Sequence, residues 1–233
     1  MTAEHKILAI HQPNYIPWLG YFHKLLTCDL FVYLDAVQLP RGRSFAARNR
    51  IKTPQGTTYL TIPIEKAKGG EGKQTYAEAR FADEEWRAKH LRTVRMNYSK
   101  AAHFDEVFLL YEDAASGGDN LAETNIRIID AIAGYLGIQT TRVRLSDLLD
   151  DFGQKTDLVI DCCRAANADV YLSGTGGGRD YNDEQQMNAN GITLRYSSFE
   201  HPEYPQLWGD FEPTLSVLDA LFNCGLNTID LLR

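Results

Sequence analysis

Apolar and polar positions succeed one another along this chain in an order that predicts strand, loop, helix and strand. Residues Ile7 to Ile10 form a short apolar run of strand length. Pro13 and Pro17 then force the chain to turn. From Trp18 to Leu26, the residues Trp18, Tyr21, Phe22 and Leu25 fall at helical spacing. Leu30 to Leu34 is rich in β-formers and ends at Asp35. This is a βαβ unit with a parallel strand pair.

Beyond Asp35 the pattern changes. Asn49–Lys52 and Thr57–Ile64 read as a β-hairpin turning at Pro54-Gln55-Gly56, and Ala67–Gln74, with Gly69, Gly70 and Gly72, as a loop. Asp83 caps a helix to about Tyr98, a second spans Ala102–Tyr111, and a third runs from Asp119 to Gly137. Alternation then returns. Strands are predicted at Thr140–Leu145, Val170–Leu172 and Ile192–Tyr196, and helices at Lys155–Ala165, Tyr181–Asn190 and Thr214–Asn223. The whole predicts an α/β fold. A mostly parallel, Rossmann-like sheet carries helices on both faces, in one domain over 1–233. The hairpin and a helical segment are inserted at approximately 36–135.

Composition narrows the classes. Apolar residues make up 44% and charged residues 24% of 233, as in a globular domain rather than a disordered chain. No apolar run approaches the ~18 residues of a membrane span. The N-terminus lacks a basic region followed by a long apolar one, so a cytoplasmic protein is expected. Cys28, Cys162, Cys163 and Cys224 form no C-x-x-C pair and read as buried, reduced thiols. No His, Cys or Asp cluster has metal-ligand spacing. The net charge of −7 argues against nucleic acid as a specific target. The charge is uneven, however. No acid occurs from Ala36 to Ile64, a stretch holding Arg41, Arg43, Arg48, Arg50 and Lys52. Such an island can select an anionic ligand.

Four segments could carry chemistry. His11 follows the first strand, where open parallel sheets bind ligands, and an imidazole suits proton transfer near neutral pH. In that loop Gln12, Asn14 and Tyr15 are hydrogen-bond partners stiffened by the prolines, and the helix start near Trp18 offers free N–H groups to an anion. A structural His11 in a Pro-rich turn is the competing reading. Arg48 and Arg50 fall on one strand face, suiting a carboxylate or phosphate; otherwise they guard a solvated edge. Ser173-Gly174-Thr175-Gly176-Gly177-Gly178 occupies the strand-to-helix position of phosphate-cradling loops, or is a tight glycine turn. It is neither a Walker A motif nor G-x-G-x-x-G. His201-Pro202-Glu203-Tyr204-Pro205-Gln206 also follows a strand and precedes Ser216 and Asp219. No G-x-S-x-G elbow supports a Ser-His-Asp triad there.

These residues resemble a known family. His11-Gln12-Pro13-Asn14-Tyr15-Ile16-Pro17-Trp18-Leu19-Gly20-Tyr21-Phe22 is similar to the opening motif of the WbqC-like family. The likeness continues through Asp35-Ala36-Val37-Gln38, Arg48-Asn49-Arg50-Ile51-Lys52, Tyr171-Leu172-Ser173-Gly174, His201–Gln206 and Leu215-Ser216-Val217-Leu218-Asp219, nearly the whole chain. After Ser173-Gly174 this chain departs from the Pro- or Ser-containing pattern with Thr175-Gly176-Gly177-Gly178. The resemblance implies a bacterial protein of surface-polysaccharide biosynthesis, the O-antigen part of lipopolysaccharide. It also implies transfer of glycine, another aminoacyl group or an acyl group to an amino sugar. A weaker fold-level likeness to nucleotidylyltransferases lacks their His-x-Gly-His spacing.

Three functions therefore compete. A transferase would use His11 as base, with Asn14 and Tyr15 as its catalytic neighbours. Asn14, Gln12 or the Ser173 and Gly174 amides would face a tetrahedral oxyanion. Arg48, Arg50 and Lys52 would hold a nucleotide-sugar diphosphate or a carrier-bound acyl donor. The substrate-contacting set further includes Trp18, Tyr21, Lys24, Asp35, Gln38, Asn49, Tyr181, His201, Tyr204 and Gln206. An ATP-dependent ligase or nucleotidylyltransferase is the alternative enzyme, and a non-catalytic nucleotide-sugar-binding module the alternative to both.

Overall fold

The structure, a computed structural model, describes residues 5–67, 73–174 and 182–233. Strand β1 (Ile7–His11) leads through helix α1 (Leu19–Leu26) to β2 (Leu30–Tyr33). The hairpin β3 (Arg48–Thr53) and β4 (Gly56–Thr61) follows, then α2 (Glu85–Tyr98), α3 (Phe104–Ser116) and α4 (Leu121–Tyr135). The chain returns through β5 (Thr141–Arg144), α5 (Leu145–Leu148), α6 (Thr156–Ala166), β6 (Val170–Ser173), α7 (Glu184–Ala189), β7 (Thr193–Tyr196) and α8 (Val217–Cys224). A 3-10 helix, Gly225–Leu232, comes last.

Strands β1, β2, β5, β6 and β7 form one sheet in the order β5-β2-β1-β6-β7, and every pairing is parallel. The predicted α/β architecture is therefore the observed one. Successive strand residues point to opposite faces, and the core divides accordingly. Ala9, Phe31, Tyr33 and Leu172 pack with α1, α4 and α8 on one side. Leu8, Ile10, Leu30, Val32 and Tyr171 pack with α6 on the other. The central strands β1, β2 and β6 are covered on both faces and read as apolar runs, whereas the edge strands β5 and β7 carry Thr141, Arg142, Arg144, Thr193 and Arg195 and are partly exposed.

Several boundaries shift for local reasons. The second hairpin strand stops at Thr61, two residues before Pro63, rather than at Ile64. The third inserted helix is capped by Asn120, not Asp119: Asn120 Oδ1 accepts from Glu123 N at 2.9 Å, while Glu123 Oε2 accepts from Asp119 N at 2.9 Å. Helix α7 begins after Asp183, whose carboxylate accepts from Gln186 N. The short α5 was missed because four residues carry no periodicity. No helix among the described residues is long and apolar enough to cross a membrane. All four cysteines are free; Cys224 is half-buried and the other three are buried.

Candidate functional site

The sheet order reverses beside β1. The chain moves from β1 outward to β2 and β5, then crosses back to β6 and β7 on the other side. In open α/β sheets this switch point opens a crevice at the carboxyl ends of the strands. Here β1 delivers His11 and β6 delivers Ser173 and Gly174 to that edge. Among the described residues, a Cβ built at Gly174 would meet no atom within 4 Å.

The loop after β1 is held from several sides through its carbonyls. Asn125 Nδ2 of α4 donates to Pro13 O at 2.7 Å and to Ala46 O at 2.8 Å. Asn49 Nδ2 of β3 donates to Ile16 O at 2.8 Å, and Val217 N at the start of α8 donates to Pro17 O at 2.8 Å. Tyr15 N donates to Phe45 O at 3.1 Å. These bonds keep Ile16 at φ +36°, a region that a β-branched residue visits only when its surroundings impose it. The motif's Gly20 has a steric purpose. A Cβ there would lie 3.0 Å from Phe199 and 3.1 Å from the Trp18 indole.

His11 is half-buried, its ring 4.7 Å from that of Tyr21 and 5.9 Å from that of Trp18. Its Nδ1 lies 3.0 Å from Gln12 O. That contact assigns the proton to Nδ1 and leaves Nε2 as an acceptor. Burial, aided by the Lys24 charge, lowers its pKa to about 3, so the free imidazole is neutral at physiological pH. Lys24 itself is 4% exposed. Its ammonium donates to Ile10 O at 2.9 Å and lies 5.9 Å from the centre of the Phe31 ring. Burial brings it down to about 8. A half-buried neutral imidazole beside a buried cation that has no carboxylate partner among the described residues is a polarised site, suited to a substrate carrying or developing negative charge.

The other expected residues divide into groups. Asn14 is 6% exposed and Gln12 half-buried; among the described residues neither side chain has a hydrogen-bond partner, so both remain available. Tyr21 is buried and its hydroxyl donates to Gln12 O at 3.3 Å. Trp18 is half-buried, 5.5 Å ring to ring from Phe45. Tyr15 points into the core instead. His90 Nε2 lies 3.2 Å from Thr61 O, which leaves His90 Nδ1 to accept from the Tyr15 hydroxyl at 2.8 Å, and Tyr111 donates to Tyr15. The Asp35 carboxylate is occupied by Ser146 N at 3.1 Å and Ser146 Oγ at 2.6 Å, where it anchors α5. Gln38 is exposed. Ser173 is buried, its Oγ accepting from Asn182 at 2.9 Å. Tyr181 and Thr175-Gly176-Gly177-Gly178 lie outside the described residues.

The basic strand does not act as one clamp. Arg48 stacks over the Tyr59 ring at 4.1 Å. Arg50 turns to Thr214 Oγ1 at 2.9 Å and Pro213 O at 3.3 Å. Lys52 is buried, donating to Gln206 Oε1 at 3.0 Å and to Asp210 O at 2.5 Å. Near it Tyr98 donates to Asp219 Oδ1 at 2.7 Å and accepts from Lys52 N at 2.9 Å. Burial lifts the Asp219 carboxyl, and the Tyr98 hydroxyl and Lys52 charge oppose that rise. Tyr204 is buried, 5.4 Å from the Phe211 ring. His201 packs on Phe199, which in turn meets His23 of α1. Buried Lys52 and Asp219 and half-buried Gln206, from three distant sequence motifs, thus form one polar group that ties the hairpin to α8.

Sequence reasoning passed over Asn125. Its signal was present: an amide among Leu121, Ile128 and Ile132 on the buried stripe of α4. Among the described residues no group of three or more His, Cys, Asp or Glu side chains could hold a metal ion.

The chain is 37% identical over 231 residues to the uncharacterized protein Rv1507c of Mycobacterium tuberculosis (strain ATCC 25618 / H37Rv), covering 98% of each chain. No solved structure matches it. The model of the WbqC-like protein family matches residues 12–231. From the loop after β1 to the last turn of the C-terminal helix, the chain belongs to the WbqC-like protein family.

Proposed function

We propose that this protein is a transferase that moves an aminoacyl group, glycine above all, or an acyl group onto the amine of an amino sugar used in surface-polysaccharide (O-antigen) synthesis. The observation that carries the reading is His11 at the end of β1 with the buried Lys24 ammonium bonded to the preceding carbonyl, Ile10 O. The choice of substrate rests on the resemblance to the family. In the reaction the amine forms a C–N bond to the donor carbonyl, the bond to the donor's leaving group breaks, and the amine's proton passes to His11 Nε2. An imidazole at about 3 is a weak base. An anionic substrate beside Lys24 would offset one cause of that depression and strengthen the base when substrate is bound. Lys24 and the unpartnered amides of Gln12 and Asn14 would stabilise the tetrahedral oxyanion.

The test is transfer by the purified protein from a glycyl or acyl thioester to a nucleotide-linked amino sugar, followed by mass spectrometry. Amide product that falls at least tenfold in His11→Ala supports the reading. Unchanged turnover in His11→Ala removes His11 from the chemistry.

The sheet order supports a second reading, an ATP-dependent ligase, because a switch-point crevice also suits a nucleotide. Pyrophosphate–ATP exchange stimulated by a carboxylic acid or amino acid would favour it over direct transfer.

A further inference from the structure

A cavity of about 850 Å³ lies between the hairpin and the segment leading into it, apart from the crevice at β1. That volume lies within the range of sites for whole small ligands, roughly 300–1,000 Å³. His11 does not line it. Arg41, Arg43, Arg48 and Lys66 do, and among the described residues that line it Glu65 is the one acid. Arg41 already has a partner within the protein. Among the described residues Arg43, Arg48 and Lys66 make no side-chain hydrogen bond or ion pair; Arg48 is only stacked on Tyr59. Stacking leaves the N–H edge of a guanidinium free to bind an anion. Three cations line one cavity against one acid, Glu65, among the described residues, so an anionic ligand would offset their mutual repulsion.

The remaining wall is apolar and preformed. Leu39, Ala46, Ile62 and Ile64 line it. Backbone bonds hold the walls in register, from Ile62 N to Ala47 O at 2.7 Å and from Leu39 N to Gln74 O at 2.8 Å. The cavity is also joined to the reactive loop, since the Asn125 amide bridges Pro13 O and the cavity residue Ala46.

We propose that this cavity is the phosphate-recognition site of the protein and takes an organic diphosphate, with the diphosphate on Arg43, Arg48 and Lys66 and the organic body against the apolar wall. Three cations match the two to three charges of a diphosphate better than the single charge of a carboxylate. A bare phosphate would leave most of the volume to water. The choice of a nucleotide-linked diphosphate rests on the transferase reading; the location rests on the cavity. Arg50 and Lys52, whose bonds lie within the protein, take no part.

Isothermal titration of the full chain with inorganic pyrophosphate, UDP and acetate tests the proposal independently of turnover. Pyrophosphate and UDP should bind, UDP at least tenfold tighter, and acetate should not. Arg48→Gln should weaken both at least tenfold, and Arg43→Gln/Arg48→Gln should abolish binding with the circular dichroism unchanged. The surface control Arg92→Gln should bind as wild type does. Wild-type affinity in the double variant, or no binding of either probe to wild type, would each overturn the assignment. Binding that follows this pattern in a protein with no transfer activity would keep the site and reject the transferase.

Discussion

The Lys24 ammonium donates to the carbonyl oxygen of Ile10 at 2.9 Å, one residue before His11, and no carboxylate pairs with it among the described residues. A buried cation satisfied by one carbonyl costs folding free energy. Its folded pKa, about 8, lies below the model-peptide value of 10.5. The penalty is therefore fully present below pH 8 and is relieved as pH rises through 10.5. Lys24→Met should stabilise the protein at pH 7 by roughly 1–3 kcal/mol, raising Tm by several degrees, while transfer activity falls. Calorimetry and the transfer assay on the same preparation check both halves. A lower Tm would reject the idea that Lys24 is held at a cost.

His11 and His90 are both held neutral by burial, at about 3 and about 4. Between those values and 6.5 the unfolded chain binds protons that the folded chain does not. Stability should fall as pH drops from 7 to 5, by about 2 kcal/mol for each histidine. Urea unfolding at the two pH values should show a smaller loss in His11→Gln than in wild type. Equal losses would place the His11 pKa near its ordinary value.

Removing the Lys24 charge should also raise the His11 pKa, because that charge is the second cause of its depression. Burial is the larger cause, so the value in Lys24→Met should stay below 6.5. An NMR titration of His11 in both proteins measures this. No movement would uncouple the pair.

Asn125→Ala should cost about 2–4 kcal/mol, because the Pro13 and Ala46 carbonyls each lose a buried donor. It should also lower kcat, since the loop bearing His11 loses its tie to α4. Hydrogen exchange at Tyr15 N, bonded to Phe45 O, should quicken. A stability loss with unchanged kcat would confine Asn125 to folding.

Lys52 should respond oppositely to Lys24. It bonds to Gln206 and Asp210, and its charge favours the ionised form of Asp219. Lys52→Met should therefore destabilise by about 2–4 kcal/mol. A Tm change of the same sign in Lys24→Met and Lys52→Met would contradict this contrast between an unpaired and a compensated buried lysine.

The sequence by itself determined the periodic parts of this protein. The parallel sheet follows from short apolar runs such as Ile7–Ile10 and Leu30–Leu34, whose unbroken hydrophobicity reports burial on two faces. The position of His11 follows from where its strand ends, because loop residues after a parallel strand must emerge at one edge of the sheet. Periodicity is a local property, and these features are local.

Only the tertiary structure decided which side chains meet. Arg48, Arg50 and Lys52 sit at alternate positions of one strand, yet they end on Tyr59, on Thr214 and on Gln206. Their partners come from β4 and from loops more than a hundred residues away, which strand period cannot reveal. Tyr15 reads as part of an exposed polar loop, but the φ of Ile16 and the bonds from Asn49 and Asn125 fix a turn that buries its hydroxyl between His90 and Tyr111. Whether Lys24 is a surface lysine or a buried cation depends on desolvation by every neighbour at once, a sum over contacts that the order of residues alone does not contain.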